Sequence, residues 1–313
     1  MAALNYAGEG ARVNENSRSV SFPLTVLVDG ALTGALYAPV ALAFVVVYRA
    51  SGMINFALGE WAMLGAALTA TGLWALGLDV LLSLGFACLG MIAFGLAFNR
   101  IVLRPLQGRP VIALVMVTLG LGALVRGAGA IAFSGVRGRI ALPLSTEPLV
   151  VSGVLVATDK LAAAGAAAVA VALTAWFFRR SRSGLALRAI ADDQEIALSM
   201  GIDVHRQLAL TWAVVGVLSV LAGTLWTVVS GAGFGVVLLG LKVFPIVIIG
   251  GLDSIPGALV GAVLVGVLES LAAAYLGPWT GGGISTVASY LVLVAMLFVR
   301  PAGLFGRPRI ARA

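Results

Sequence analysis

Among the side chains that most often bind metals or do acid–base chemistry, this 313-residue chain has thirteen acidic residues, one histidine and one cysteine. Their placement narrows the options further. Asn55 and Glu60 lie near the start of one apolar run, and Glu269 and Lys242 lie inside two others. A carboxylate in such a run is costly against lipid, so it faces a bundle interior, water or a partner. Asn55 and Glu60 read either as a gate or pathway element or as a structural hydrogen bond that fixes a helix entry. Glu269 reads either as a pathway group or as glue between helices. Lys242 can snorkel to an interface or pair with Glu269 or Glu60. Asp192, Asp193 and Glu195 cluster beside Arg188, where adjacent carboxylates are either a metal pair or a solvated, partner-facing group. His205 sits in a polar stretch and Cys88 in an apolar one. One of each does not make a zinc or haem site within one chain, and a single cysteine leaves no internal disulfide. No G-x-x-x-x-G-K-[ST], G-x-S-x-G or H-E-x-x-H is present, so no P-loop ATP site or common hydrolase signature is expected. No catalytic, metal-binding or cofactor-binding residue is expected.

The surrounding composition says what must hold them. Hydrophobic residues make up 61% of the chain and charged residues 11%, against about 25% charged in soluble domains. That excludes disorder, a disulfide scaffold and an ordinary soluble enzyme, and it predicts an all-α polytopic membrane protein. The 40 glycines suit helices in close approach within lipid. Apolar runs at about 24–48, 54–76, 80–99, 111–133, 161–178, 207–230, 257–276 and 284–299 predict eight spans, and the short run 236–249 makes a ninth. Residues 1–21 read as a flexible polar tail, not a signal peptide. Residues 134–160 read as an ordered loop with a short interfacial helix, and 307–313 as a basic tail. The net charge of +7 reads as loop arginines beside anionic lipid, not as a nucleic-acid site. Arg49, Arg100, Arg104 and Arg109, the five arginines of 179–206 and the C-terminal arginines place those segments in the cytoplasm, with the N-terminus outside. Two Gly-rich interruptions, Ser51-Gly52 and Gly250 to Gly257, read either as unwound backbone of the kind that builds transporter sites or as plain turns. Together they hint at an internal repeat.

The longest polar segment between spans, RRSRSGLALRAIADDQEIALSMGIDVHR from Arg179 to Arg206, has a helical pattern closed by Gly201. A short amphipathic helix there can lie on the membrane or dock on a partner. Glu195-Ile196-Ala197 followed by Gly201 resembles the EAA-xxx-G coupling loop of ABC-importer permeases, with Ile196 in place of the middle alanine. Residues 51–65, SGMINFALGEWAMLG, resemble the GxINFAHGExxMLG segment of branched-chain amino acid permeases of the LivH family. Residues 250–261, GGLDSIPGALVG, resemble that family's GGxGSxxGAxxG, and Arg300 to Gly306 its RPxGLFG ending. Leu58 replaces the family's histidine and Asp253 a glycine.

The resemblance spans about 25–306. It implies an ABC-importer permease fold over 22–306 in a bacterial inner membrane. It implies translocation of branched-chain or related amino acids, amides or urea, with ATP hydrolysed by partners. Those partners would be a LivM-like permease, two P-loop ATPase subunits and a periplasmic binding protein. It assigns coupling to Gly184, Arg188, Ala189, Asp192, Asp193, Glu195, Ala197 and Gly201. It leaves Asn55, Glu60, Gly251, Ser254, Gly257 and Glu269 as candidates for the pathway or gate. The alternatives are a stand-alone secondary transporter or channel using the intramembrane carboxylates, and an intramembrane enzyme built on Asp192, Asp193 and Glu195.

Overall fold

The computed structural model describes residues 2–106, 109–133, 140, 149–151, 154–231, 235–280 and 283–306. The chain is helical almost throughout. In order come α1 (Ala2–Ser51), α2 (Leu58–Trp74), α3 (Val80–Phe98), α4 (Val111–Ala132), α5 (Thr158–Arg180), α6 (Arg182–Asp192), α7 (Gln194–Ser199), α8 (Val204–Ser230), α9 (Gly235–Gly250), α10 (Ile255–Tyr275), α11 (Gly277–Thr280) and α12 (Ile284–Val299). The polar stretch 1–21, expected as a tail, continues α1 from Ala2, and its side chains lie outside the described residues. So do the basic tail 307–313 and most of the loop after α4. The described part of the loop before α5 holds a two-stranded antiparallel pair, β1 (Leu149–Val151) and β2 (Val154–Val156); most of 134–148, where a short interfacial helix was expected, lies outside the described residues.

Among the described residues six helices are long and apolar enough to cross a bilayer: α1 from Phe22, α3, α4, α5, α8 and α10. The shorter α2, α9 and α12 have 17, 16 and 16 residues, below the roughly 20 of a full span. These nine apolar helices match the nine expected runs. The helices α1 and α8 form the axis of the bundle. Along their apolar windows 78% and 67% of residues are buried, against 22% for α3 and α4 at the rim. In lipid, helices gain little from hiding apolar surface and pack instead by close contact of small residues. The α2–α8 contact shows this: a Cβ on Gly223 would sit 1.9 Å from the Ala62 carbonyl oxygen. Beside it Trp61, Trp212, Phe94 and Phe98 interlock with ring centroids 4.8–5.6 Å apart.

The two interruptions differ. Gly250 to Gly257 is a tight turn at one end of the bundle, not unwound helix at membrane depth. Gly251 (φ +112°) makes the turn, and Ser254 caps α10 by accepting from Gly257 N–H at 3.1 Å. The chain's ending straps this turn. Leu304 N–H donates to Ile249 O at 2.8 Å and Phe305 N–H to Gly250 O at 3.0 Å, giving partners to carbonyls that every helix end leaves open.

The interruption after Ser51 instead runs inward. Asn55 Oδ1 accepts from Ala57 N–H at 2.9 Å, Phe56 N–H donates to Thr118 Oγ1 at 3.3 Å, and the Phe56 ring stacks on Phe244. Gly59, at the start of α2, abuts Gly240, which at 1.5 Å per residue lies roughly 15 Å inside the Gly250 end of α9. The expected start near residue 54 therefore moves to Leu58, and α2 begins at depth.

Candidate functional site

Two regions collect the polar groups. The first is the end of the bundle where α1 finishes, α9 turns into α10 and residues 300–306 lie. There the loop between α5 and α8 folds as two helices rather than one. Ser181 caps α6 by accepting from Gly184 N–H, and Asp193 caps α7 by accepting from Glu195 and Ile196 N–H. The helical pattern is continuous through Asp193, but an aspartate that caps a new helix must leave the old one. Gly201 (φ +80°) closes α7: its N–H reaches Leu198 O, and Ile202 N–H reaches Ala197 O. This is the paired-bond ending that glycine allows.

The candidate coupling residues divide by direction. Gly184 and Ala197 are buried; a Cβ on Gly184 would lie 2.1 Å from Phe178 O. Ala189 is half-buried, while Arg188, Asp192, Asp193, Glu195 and Gly201 are exposed. Leu185, Ile196, Leu198 and Met200 protrude with them, Ile196 at 61% and Met200 at 78% exposure. The inner face of α6 carries Leu187 and Ile190 and packs on α1, α5 and α8. A cleft of about 970 Å³ opens beside it, lined by Arg49 and Gly52 of the first interruption, Asp192, Asp253 and Ser254, and Phe305 of the strap. Gly251, Ser254 and Gly257 thus belong to the turn and strap at this end. No cluster of three or more metal-binding side chains occurs among the described residues.

The second region is inside the bundle, where ionised groups are paired. Glu269, on α10, receives hydrogen bonds on Oε2 from the Tyr37 hydroxyl at 2.6 Å and the Lys242 ammonium at 2.7 Å. Lys242 also donates to the Tyr37 oxygen at 2.9 Å, so one cluster ties α1, α9 and α10. Of the two partners open to Lys242 in the sequence, the structure selects Glu269. Glu60 pairs with Arg126 of α4. Its side chain is 5% exposed and that of Arg126 50%. An arginine in lipid costs up to about 2.5–3.5 kcal/mol at a helix centre on insertion scales, and less toward a helix end. That cost, and the carboxylate it holds, make Arg126 a residue to explain. Sequence reading passed over it, although it is the one charge in the α4 run. Asn55 and Thr118 extend the polar seam between α2 and α4; both are buried, and Asn55 Nδ2 has no acceptor among the described residues. Toward the opposite end, Asp29 pairs with Lys160 and accepts from Ser270 at 3.3 Å. Both carboxylates that an ion-coupled carrier would use, Glu60 and Glu269, are committed to cations.

The family model for the branched-chain amino acid transport system / permease component matches residues 26–300. The chain is 29% identical over 309 residues to the high-affinity branched-chain amino acid transport system permease protein LivH of Escherichia coli (strain K12). It is 31% identical over 308 residues to the corresponding protein BraD of Pseudomonas aeruginosa. Each alignment covers 92% of this chain and 97% of the relative. A solved structure, PsaBC from Streptococcus pneumoniae in complex with Fab, aligns over 88% of this chain and 90% of its own at 18% identity and a TM-score of 0.44. The family match reaches from the first span to the last, and the bundle hides its charges in pairs and shows its polar surface at one end. On that match the chain belongs to the family of branched-chain amino acid transport system permease components.

Proposed function

We propose that this permease subunit is driven by separate ATPase subunits through α6 and α7, and that it carries branched-chain or related amino acids inward across a bacterial inner membrane. Amides and urea are substrate variants of the same reading. The observation that carries it is the two-sided build of α6–α7. Its outer side offers acids and apolar knobs, Asp192, Asp193, Glu195, Ile196 and Met200, with Arg188. Its inner side is packed on the axial helices α1 and α8. A partner gripping the outer side would therefore move the axis of the bundle and not a loose loop. Gly184 and Ala197 serve the inner packing, while the exposed charges meet the motor.

In this reading the assembly includes a LivM-like second permease, two P-loop ATPase subunits and a periplasmic binding protein. ATP is bound and hydrolysed by the ATPase subunits. Closure of their dimer pulls α6–α7, and the bundle rocks between outward-open and inward-open states. The same reading puts the strap, the α9–α10 turn and the C-terminus on the cytoplasmic side. Substrate choice rests largely on the binding protein, in keeping with an interior that offers few polar groups.

The test is reconstitution of the full assembly in vesicles. Glu195→Arg reverses a charge on the outer side. Gly201→Leu forces a side chain into a left-handed backbone at a cost of about 1–2 kcal/mol. Both variants are expected to insert and purify normally, while substrate no longer stimulates ATP hydrolysis and uptake falls. Normal coupled uptake in both would refute the role of α6–α7.

A further inference from the structure

We infer that Glu60 and Arg126 form a binding site for the charged ends of a zwitterionic amino acid, on the open face of α4. This inference rests on the transport reading above and names the groups that would meet the substrate inside the membrane.

The position comes first. Arg126 lies roughly 22 Å from the Val111 end of α4 and roughly 9 Å from the Ala132 end at 1.5 Å per residue, so it is within the bilayer. Half of its side chain is nevertheless uncovered, while its partner Glu60 is buried. A guanidinium at that depth is costly against acyl chains unless its head reaches the interface. The face that carries it borders either water or protein.

The surroundings favour water and a small ligand. Ala123 and Ala130 lie one turn to either side of Arg126, and both are exposed. Gly127 is exposed and has open space where a Cβ would be. Gly122 is the residue that leaves room at the carboxylate, since a Cβ there would come within 3.3 Å of Glu60 Cδ. Small residues thus surround the pair on the side that is open. Met63, whose methyl lies close to Gly129, and Leu119 supply apolar surface along the same seam. Five residues before Glu60, Asn55 Nδ2 is buried without an acceptor among the described residues.

The chemistry fits an amino acid. Arg126 presents a planar fork that takes a carboxylate by two parallel hydrogen bonds, and Glu60 takes an ammonium group. A zwitterion entering the pair replaces one ion pair by two. The net charge of the site is zero before and after, so neither the empty nor the filled state leaves an unpaired charge in the membrane. The cluster at Lys242 lacks this openness, because Tyr37 and Glu269 already close around the ammonium. A branched aliphatic side chain would rest on the alanines and Leu119.

The experiment uses the complete transporter in nanodiscs, open to reagent on both sides. The native cysteine is removed by Cys88→Ala, and Ala123→Cys and Ala130→Cys are introduced singly, which leaves Glu60 and Arg126 intact. A membrane-impermeant cationic methanethiosulfonate is the probe, with and without L-leucine, loaded binding protein and ATP. Both positions are expected to react. Leucine at about ten times its half-saturating concentration is expected to slow the reaction by roughly tenfold, the factor for a competitor occupying one site. With Arg126→Gln added, that protection is expected to disappear while the complex still purifies and labels.

Leucine uptake by the Cys88→Ala parent is measured in vesicles in parallel. Failure of both positions to react means that lipid or a protein helix covers the face, and overturns the inference. Reaction without protection, in a parent that accumulates leucine, overturns the inference and leaves the transport reading standing. A parent that accumulates no amino acid, but only an uncharged amide or urea, overturns the zwitterion site and the amino-acid reading together.

Discussion

At the scale of single residues, the energetics are dominated by what the membrane does to a charge. Glu269 is held by Tyr37 and Lys242 on two other helices, and neither Glu269 nor Lys242 has more than 18% of its side chain exposed. Removing one member of such a pair leaves the other unpaired and costs about 3–5 kcal/mol in soluble proteins, whereas removing both is far cheaper. Lys242→Met and Glu269→Gln are therefore each expected to lower the thermal midpoint of the purified protein in mild detergent. The double variant is expected to recover much of the loss, and simple additivity would count against the pairing. The sequence already limited Lys242 to a carboxylate or an interface, because both charges lie in apolar runs. It could not choose between Glu60 and Glu269, since that choice depends on which helices touch. Arg126 was harder to read. A lone arginine in an apolar run gives no sign of the helix opposite, and the late start of α2 is what lifts Glu60 to its level.

At the scale of elements, the apolar runs announced all nine helices because lipid demands about 20 apolar residues per crossing. The places where reading fell short are those where one side chain redirects the backbone. Gly52 to Ala57 is apolar enough to pass for helix, yet Asn55 and Thr118 take its N–H groups. Asp193 likewise ends α6 in order to cap α7. Packing between helices was legible only as an abundance of glycine, with no means of telling tight positions from loose ones. The structure separates them. At Gly223 a methyl group would collide with the Ala62 carbonyl, whereas Gly165 on α5 is exposed and has nothing within 4 Å of its added Cβ. Gly223→Ala is expected to destabilise by about 1–3 kcal/mol, as overpacking does. Gly165→Ala is expected to be neutral or stabilising by up to about 1 kcal/mol, from helix propensity. Thermal melts of the two variants check the pair, and equal effects would mean that the α2–α8 contact is not tight.

At the scale of the whole molecule, the charges sort into two populations. Asp29 pairs with Lys160 toward one end, and Glu60 with Arg126 and Glu269 with Lys242 farther in, so these paired groups add nothing to the net charge. The excess of arginine is instead gathered at one end, on Arg49, the segment after α3, the loop bearing α6–α7, and Arg300. The cleft at that end brings Tyr48 to Gly52, Ile190 to Asp192, Leu252 to Pro256 and the strap together, which makes it one face rather than several scattered loops. Basic residues near span ends resist translocation, so such a face is expected in the cytoplasm. The opposite end carries the hairpin and α11, with Trp279 at 88% exposure. In the Cys88→Ala background, Trp279→Cys is therefore expected to react with an impermeant maleimide in intact spheroplasts. Met200→Cys, equally prominent on α7, is expected to react only once the membrane is opened. Labelling of Met200→Cys in intact spheroplasts would put α6–α7 outside, beyond the reach of any ATPase. The coupling role would then fail even though the helical bundle and its paired charges stood unchanged.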